Sequence, residues 1–298
     1  MFEHNGDPQQ YYREPSQMRQ MQECTLCGNF HGHSHKAIEN TSNNNVAENT
    51  ELYEHKAIGK YGNNIYWYPR IEDVPNGFTF YLAHEFFDAL PIHKFVKNVE
   101  GEWREVLIDI DNNHNNDLRF VQAKFSTPAV KLIDEMSICD KCTIELSPKT
   151  GVIVQHISNR IDEYGGGALI ADYGNNECAE DSFRAFKNHK LHDVLEDPGT
   201  ADLTADVDFS YIRSNCSEHT LSYGPVSQRT FLHSLGIDVR YKKLSESVST
   251  DNSDLKAAYH ALTDEDKMGE RFKFFSIFPK TMQPIHEKYP PVGFENSK

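Results

Sequence analysis

The sequence has 298 residues, of which 45 are acidic and 30 are basic, so its formal net charge is −15 at neutral pH. Proteins that bind duplex nucleic acid normally carry a basic surface, so the charge argues against a nucleic-acid partner. No apolar run approaches the roughly twenty residues that a membrane-spanning helix needs. The length is sufficient for one large α/β domain or for a domain with an inserted lobe.

The first feature in chain order is a cysteine pair followed by histidines. Thiolates separated by two residues, with imidazoles nearby, fit tetrahedral zinc. A second pair lies far downstream, however, and the usual short spacing to a second ligand pair is absent, so we expect free thiols and no metal site. A zinc site on the first pair is the alternative. The residues concerned are Cys24, Cys27, His31, His33 and His35, with Cys139 and Cys142 as the second pair.

An Asn-rich, polar segment at residues 36–64 predicts a loop. Extended chain resumes at residues 65–68. Residues 78–83 are aromatic, β-branched and almost uncharged, which is typical of a strand buried on both faces of a parallel sheet.

Two carboxylates, Glu85 and Asp88, follow this strand directly. Open α/β sheets bind their ligands just beyond the carboxyl ends of such strands. If the following segment is a helical turn, the spacing of the two acids places both on one side, where they would converge on one ligand. Alternatively, the two acids only cap and solvate the start of a helix, since acidic residues are favoured in a first turn.

Alternating apolar residues then predict an antiparallel β lobe at about residues 92–150. Residues 152–164 have the apolar period of an amphipathic helix, and a buried strand at 168–171 follows a glycine turn. Helix and strand alternating in this way indicate a doubly wound α/β sheet. Asp172 and Tyr173 end the second strand, so they are expected beside the two carboxylates of the first.

A long polar run after this strand contains Arg184, His189, Asp202 and Asp206. A loop that folds over a ligand has this composition. In the alternative interpretation the run is a solvated connection, and Asp206 caps a helix at residues 207–214. The acid pair formed by Asp206 and Asp208 is too common a spacing to predict a metal site.

Four blocks in this order resemble a known family. The central block reads His-Glu-Phe-Phe-Asp-Ala-Leu-Pro from His84. It is similar to the central motif of mitochondrial protein arginine methyltransferases that act as assembly factors for respiratory complex I and are related to bacterial MidA-type proteins. The similarity covers about residues 62–280, and its blocks lie at residues 84–95, 167–174, 189–209 and 267–272.

The resemblance implies a Rossmann-like fold with an inserted antiparallel β lobe and the cofactor S-adenosylmethionine. It implies that Glu85 and Asp88 hold a guanidinium group, because paired carboxylates localise its charge through bidentate hydrogen bonds. His84 would accept a proton or would only be a neighbour. The implied substrate is a complex I subunit in the mitochondrial matrix, with no metal. Ligand contacts would come from Glu14, Asp172 and Tyr173 for the cofactor and from Arg184, His189, Asp202 and Asp206 for the substrate.

The N-terminal part departs from the family. A strand with a Gly-x-Gly turn, which holds the amino-acid part of the cofactor, is missing, and residues 1–7 are too acidic for an import signal. We therefore expect an N-terminally shortened isoform or an incomplete gene, with residues 1–64 as a partial cofactor-side segment and 65–298 as the catalytic domain. Two hypotheses follow: a working transferase, or a catalytically silent assembly module that keeps the substrate cleft.

Overall fold

The computed structural model describes residues 53–112, 117–134, 141–247 and 252–295. The chain divides into two compact units, residues 1–76 and 77–298, which are considered separately. Most of the Asn-rich segment lies outside the described residues. So do Glu14, Cys24, Cys27, the neighbouring histidines and Cys139.

A β-hairpin is the main described element of the first unit. Strand β1 (His55–Ile58) pairs antiparallel with β2 (Asn64–Trp67), and the chain turns at Gly62 with a φ of 83° that favours glycine. The ring of His55 packs on that of Trp67 across the hairpin, with 5.1 Å between centroids. Because such cross-strand pairs stabilise β structure, a strand forms inside the Asn-rich segment, and the prediction of a loop is wrong there. A short 3₁₀ turn follows at Ile71–Asp73.

The described strands of the second unit are β3 (Thr79–His84), β4 (His93–Lys97), β5 (Trp103–Asp111), β6 (Asp117–Gln122), β7 (Thr143–Leu146), β8 (Gly166–Asn175), β9 (Arg184–Lys187), β10 (Lys190–His192), β11 (Asp202–Thr204), β12 (Val207–Asp208), β13 (Thr220–Ser227) and β14 (Phe272–Pro279). The described α-helices are α1 (Lys131–Asp134), α2 (Pro148–Tyr164), α3 (Phe209–Ser214), α4 (Gln228–Ser234), α5 (Ile237–Ser247), α6 (Ser253–Thr263) and α7 (Gln283–Lys288). None of the described helices is both long and apolar enough to cross a bilayer.

The main sheet of this unit is mixed, with strand order β12-β8-β14-β13 and β3 added to β8. β3 and β12 run parallel to β8, whereas β14 runs antiparallel to it. β3 and β14 both pair with residues 168–171, so they lie on opposite edges of β8. A parallel centre with an antiparallel flank is common in α/β folds, and the arrangement is consistent with an α/β methyltransferase.

Helix α2 covers this sheet and shows why the sequence folds as predicted here. Ser147 is the N-cap, its Oγ accepting from the Thr150 N–H, and Pro148 occupies the first turn. Gly165, with a φ of 78°, ends the helix. The buried positions recur with helical spacing and pack against β8 and β14. The core between helix and sheet contains Ile153, Val154, Ile157, Ile161, Ile170, Phe275 and Ile277.

Strand β3 is buried on one face only. Its burial alternates along the strand, and the exposed fractions of Phe78, Phe80 and Leu82 are 69%, 75% and 74%. The prediction that this strand is buried on both faces is therefore wrong. In the part of the second unit that the structure describes, β3 pairs with β8 alone.

A separate four-stranded antiparallel sheet has the order β6-β5-β4-β7. It occupies the segment in which alternating residues predict antiparallel strands. Gly101 donates to the Asn98 carbonyl at 3.0 Å and closes the turn between β4 and β5. The core of this sheet consists of Phe95, Ile133, Ile144 and Leu146.

Strands β9, β10 and β11 form a three-stranded antiparallel sheet, here called the small sheet, with β9 in the middle. Asn188 and His189 connect β9 to β10 with φ values of 52° and 60°. Two successive positive φ angles define a type I′ turn, whose twist matches the two strands of a hairpin.

The helix after this region begins later than predicted. Asp208 Oδ1 accepts from the Ser210 and Tyr211 N–H groups at 2.8 and 3.1 Å, so Asp208 is the N-cap of α3. The interpretation of Asp206 as the cap is therefore wrong. Asp206 is free for a different contact.

Candidate active site

The two motif carboxylates lie on a tight turn at the carboxyl end of β3. The Glu85 N–H donates to the Ala171 carbonyl at 2.9 Å, so Glu85 still follows the parallel pairing with β8. Its φ of 46° then bends the chain away from the sheet. No helix begins at Glu85 or Asp88, so the alternative that they are helix caps is not supported.

The buried carboxylate of Asp172 holds this turn. Asp172 Oδ2 accepts from the N–H groups of Phe86, Phe87 and Asp88 at 3.2, 2.9 and 3.4 Å. Its Oδ1 accepts from the Tyr173 N–H at 2.9 Å, and none of the residue is exposed. The geometry thus favours a positioning role for Asp172 over the direct cofactor contact expected from the sequence.

Burial and, to a smaller extent, the nearby charge of Asp88 together raise the pKa of Asp172 to about 7, against the lowering effect of the backbone hydrogen bonds. A carboxyl group with that pKa carries a proton for a substantial fraction of the time at neutral pH. The hydrogen bonds that hold the turn of Phe86 to Asp88 therefore depend on whether the Asp172 carboxyl group is charged.

Asp88 also binds the polar run that the sequence marks as a ligand-covering segment. Thr204 Oγ1 donates to Asp88 Oδ2 at 2.8 Å, and the Ala205 N–H donates to the Asp88 carbonyl at 3.0 Å. The sequence analysis missed Thr204, because nothing local connects two residues so distant in the chain. Asp88 is partly buried, whereas Glu85 is exposed.

Tyr173 lies among the charged residues of the site. Burial raises the pKa of its phenol, and the charges of Glu85 and Asp88 raise it further, whereas Arg271 and Arg184 lower it. The ring packs edge-on against Phe272, with 4.9 Å between centroids. The structure therefore brings Tyr173, Glu85 and Asp88 together, as the sequence predicts.

His84 is exposed, and its ring lies 5.6 Å from that of Phe272, between centroids. No hydrogen bond from its ring to a described residue is present.

The carboxylate of Asp206 contacts two arginines. Arg184 donates to Asp206 Oδ1 at 2.7 Å, and Arg271 lies 3.8 Å from the same oxygen. Arg271 belongs to the last block of the family resemblance, but the sequence analysis did not select it. All three residues line a cleft of about 440 Å³ that also includes Asn175 at the end of β8.

Glu145 anchors the segment that carries Arg184. Its buried carboxylate accepts from the Ser182 N–H at 3.0 Å and from the Phe183 N–H at 3.3 Å, and Lys94 pairs with it at 3.3 Å. Ser182 Oγ in turn accepts from the Asp206 N–H at 2.8 Å. The four-stranded sheet thus helps to fix the Arg184–Asp206 pair through β7.

The remaining predicted substrate residues lie further out. His189 occupies the exposed turn between β9 and β10, and Asp202 lies on β11 with its side chain exposed. Neither makes a hydrogen bond to Glu85 or Asp88. Asp202 is, however, two residues from Thr204 on the same strand.

The described part of the chain contains no group of three or more side chains suited to a metal ion. Cys142 and Cys216 are free thiols in this part. For the whole chain we expect less than about half an equivalent of zinc, because no closed four-ligand site is predicted. Elemental analysis of the purified protein checks this, and one equivalent that is lost in a Cys24→Ser, Cys27→Ser double variant would refute it.

Comparison with known proteins connects this geometry to a family. Residues 13–225 match the family described as S-adenosyl-L-methionine-dependent methyltransferases. The chain is 48% identical over 80% of its length to the protein arginine methyltransferase NDUFAF7, mitochondrial, of Xenopus tropicalis, and 49% identical over 75% to the protein of that name from Homo sapiens. The matched parts are 56% and 51% of those two proteins. The chain therefore spans about half the length of the curated relatives it matches.

Two solved structures from Burkholderia thailandensis share the fold. One has a TM-score of 0.61 at 22% identity and covers 72% of this chain and 58% of its own. The other, whose title gives bound S-adenosyl-homocysteine, has a TM-score of 0.56 at 21% identity and covers 70% of this chain and 55% of its own. The relatives' names also support the mitochondrial localisation that the resemblance implies. By the family match and by these identities, the chain belongs to the S-adenosyl-L-methionine-dependent methyltransferase family.

Proposed function

We propose that this chain carries the substrate side of a protein arginine methyltransferase. The observation that supports the proposal is the pair of carboxylates, Glu85 and Asp88, on the turn that Asp172 holds at the carboxyl end of β3. The relatives named as arginine methyltransferases support the choice of arginine as substrate.

A guanidinium group is charged at neutral pH and is a poor nucleophile. Two carboxylates that each accept hydrogen bonds from it would orient one nitrogen and draw the positive charge to the others. Asp88 suits this role because one of its oxygens is fixed by Thr204, which limits its motion, while Glu85 is exposed and makes no hydrogen bond from its side chain to a described residue. His84 is the candidate acceptor for the proton that the methylated nitrogen loses.

Arg184, Asp206 and Arg271 would border the substrate rather than hold its guanidinium, because the two arginines already share one carboxylate. His189 and Asp202 would contact parts of the substrate further from the reacting group. We also propose Tyr173 as a residue that faces the cofactor.

The described residues do not form a cradle for S-adenosylmethionine. Gly59 and Gly62, the described glycines before residue 70, shape the β1–β2 hairpin through a Gly62 N–H to Gly59 carbonyl bond of 2.9 Å. Glu14, a predicted cofactor ligand, lies outside the described residues.

This chain is expected to bind S-adenosylmethionine weakly or not at all, because its sequence lacks the Gly-x-Gly turn that would contact the methionine part. Isothermal titration calorimetry measures this directly. Binding in the low micromolar range would contradict the prediction and would show that another segment replaces the glycine turn.

For the domain organisation, we propose that about residues 92–150 form a β lobe inserted in a Rossmann-like catalytic domain whose sheet is incomplete on its N-terminal side. An incomplete sheet is supported by the pairing of β3, which among the described strands has β8 as its one neighbour. A boundary at residue 64 would divide the β1–β2 hairpin, so we place it after residue 76. The proposed partner is a subunit of complex I in the mitochondrial matrix.

A second candidate function is a catalytically silent assembly module that binds the substrate without modifying it. The described glycines before residue 70, which form a hairpin and no cofactor turn, favour it. The test is methylation of an arginine peptide by a chimera in which the N-terminal part of the human relative precedes this chain. Radiolabelled methyl on the arginine peptide, and none on its lysine counterpart, supports a transferase, whereas binding without transfer supports the silent module.

A further inference from the structure

One face of the small sheet carries a row of three side chains, of which two are exposed and one, Phe186, is half-buried. Leu191 and Asp202 both lie directly opposite Phe186 in the register, so the three side chains share a face. The exposed fraction of Leu191 is 73%, and Asp202 is exposed as well. On the opposite face Ala185 is fully buried, whereas Leu203, its partner in the register, is 47% exposed. Leu191, Phe186 and Asp202 are called the outer row below.

The two lysines of the small sheet lie on the face opposite to the outer row, whereas Arg184 shares the face of Phe186 and is paired with Asp206. Lys187 and Lys190 are opposite each other, and strand alternation places both on the face away from the outer row. Lys187 is paired there with Asp197 at 3.0 Å. Asp202 makes no ion pair within the described residues, so the outer row combines one unpaired carboxylate with two apolar side chains.

The outer row continues directly from the candidate active site. Thr204 shares the face of Asp202, two residues further along β11, and its Oγ1 donates to Asp88. Two residues of a strand span roughly 7 Å. An extended polypeptide with its arginine at Asp88 would therefore reach the outer row within about two or three residues.

We propose that the outer row binds an extended basic segment of the substrate polypeptide next to the reacting arginine. This inference rests on the proposed function and adds a sequence preference to it. Asp202 pairs with a lysine or arginine of the segment. Leu191 and Phe186 contact the aliphatic stem of that residue, because long basic side chains lay their stems along apolar surface.

The surrounding charge favours a basic partner over other peptides. Residues 175–208 contain nine acidic and three basic residues, so the region that carries the small sheet is strongly negative. Such a surface raises the association rate of a cationic segment and disfavours an acidic one.

The experiment compares two fluorescein-labelled peptides with one central arginine, one flanked by lysines and the other by serines, in fluorescence anisotropy with the chain as given. Asp202→Lys is expected to weaken binding of the lysine-flanked peptide by roughly tenfold, since an attraction becomes a repulsion, and to leave the serine-flanked peptide nearly unchanged. Glu163→Lys, on the exposed end of α2, is the control with the same change of net charge.

The contribution of the apolar side chains is tested with Leu191→Ser. This variant is expected to weaken binding of the lysine-flanked peptide by about threefold to fivefold. The matched control is Val152→Ser, an exposed apolar position on α2. An equal loss in Asp202→Lys and Glu163→Lys would overturn the proposal, since it would indicate general charge attraction. Equal affinity of the parent chain for the two peptides would overturn it as well.

Replacing the central arginine by norleucine separates this inference from the proposed function. One outcome is that Asp202→Lys still weakens binding of the lysine-flanked norleucine peptide, while arginine and norleucine peptides bind with equal affinity. The outer row then binds basic segments, but the proposed arginine site is refuted. If the arginine peptides bind more tightly than norleucine peptides yet flanking lysines have no effect, the proposed function stands and the outer row is not a docking surface.

Discussion

Asp88→Asn is expected to keep the fold and to reduce methyl transfer to an arginine peptide by roughly a hundredfold or more, about 3 kcal/mol of transition-state stabilisation. Asparagine preserves the size of the side chain and can still accept the Thr204 hydroxyl, so the turn and the 202–206 segment should remain in place. What is lost is one charge beside the guanidinium. The loss affects turnover because the positive charge has to localise as the nitrogen reacts.

The measurement uses the chimera that supplies the cofactor segment, with single-turnover methylation and thermal melting on the same preparation. Asp162→Asn, an exposed acid on α2, is the charge-matched control and should leave turnover unchanged. Glu85→Gln should resemble Asp88→Asn. Normal turnover with a lowered melting temperature in Asp88→Asn would show that Asp88 only supports the turn through Thr204 and does not hold the substrate.

The position of the site could be predicted from the sequence, because it depends on local patterns. An apolar strand that ends in carboxylates identifies the carboxyl edge of a sheet, and β3 and β8 are parallel neighbours as the alternation of strand and helix predicts. Glu85, Asp88 and Tyr173 meet there for that reason. The capping signals of α2, with Ser147 before and Gly165 after the helix, are equally local.

The contacts that fix the site could not be predicted, because they join distant parts of the chain. Asp172 reaches the turn of Phe86 to Asp88 across the sheet, and Thr204 reaches Asp88 from the small sheet. Arg271 joins the site from the strand-preceding segment near the end of the chain. No spacing rule links such residues, and a single sequence contains no record of their proximity.

The sequence also does not predict how many faces of β3 are buried, for a related reason. Composition reports how apolar a strand is, but the number of covered faces depends on which elements pack against it. The exposed Phe80 and Leu82 are as apolar as a doubly covered strand requires, yet no described element of the second unit covers them. The same limit applies to Asp206 and Asp208, since both fit a helix cap by sequence and only the start of α3 decides between them.

The free energy of unfolding should fall as the pH rises from about 4 to about 7, because of Asp172. The pKa of this carboxyl is about 7 in the folded chain against 3.8 ordinarily, so the folded state retains a proton that the unfolded state releases within this range. Stability from the protonated group is thus fully present below pH 3.8 and is lost as the pH rises through the folded pKa. At 1.36 kcal/mol per pKa unit, the total loss is roughly 4 kcal/mol.

Asp172→Asn should abolish most of this decline, since an amide is neutral at every pH and its oxygen can still accept from the Phe86–Asp88 turn. The free energy of unfolding in urea, measured at about pH 4.5 and about pH 7.5, gives the difference for each variant. Asp162→Asn should keep the parent's pH dependence, because that acid is exposed. If Asp172→Asn retains the full decline, another group causes it. If the variant unfolds equally at both pH values but loses affinity for the arginine peptide, Asp172 acts through the turn that presents Glu85 and Asp88.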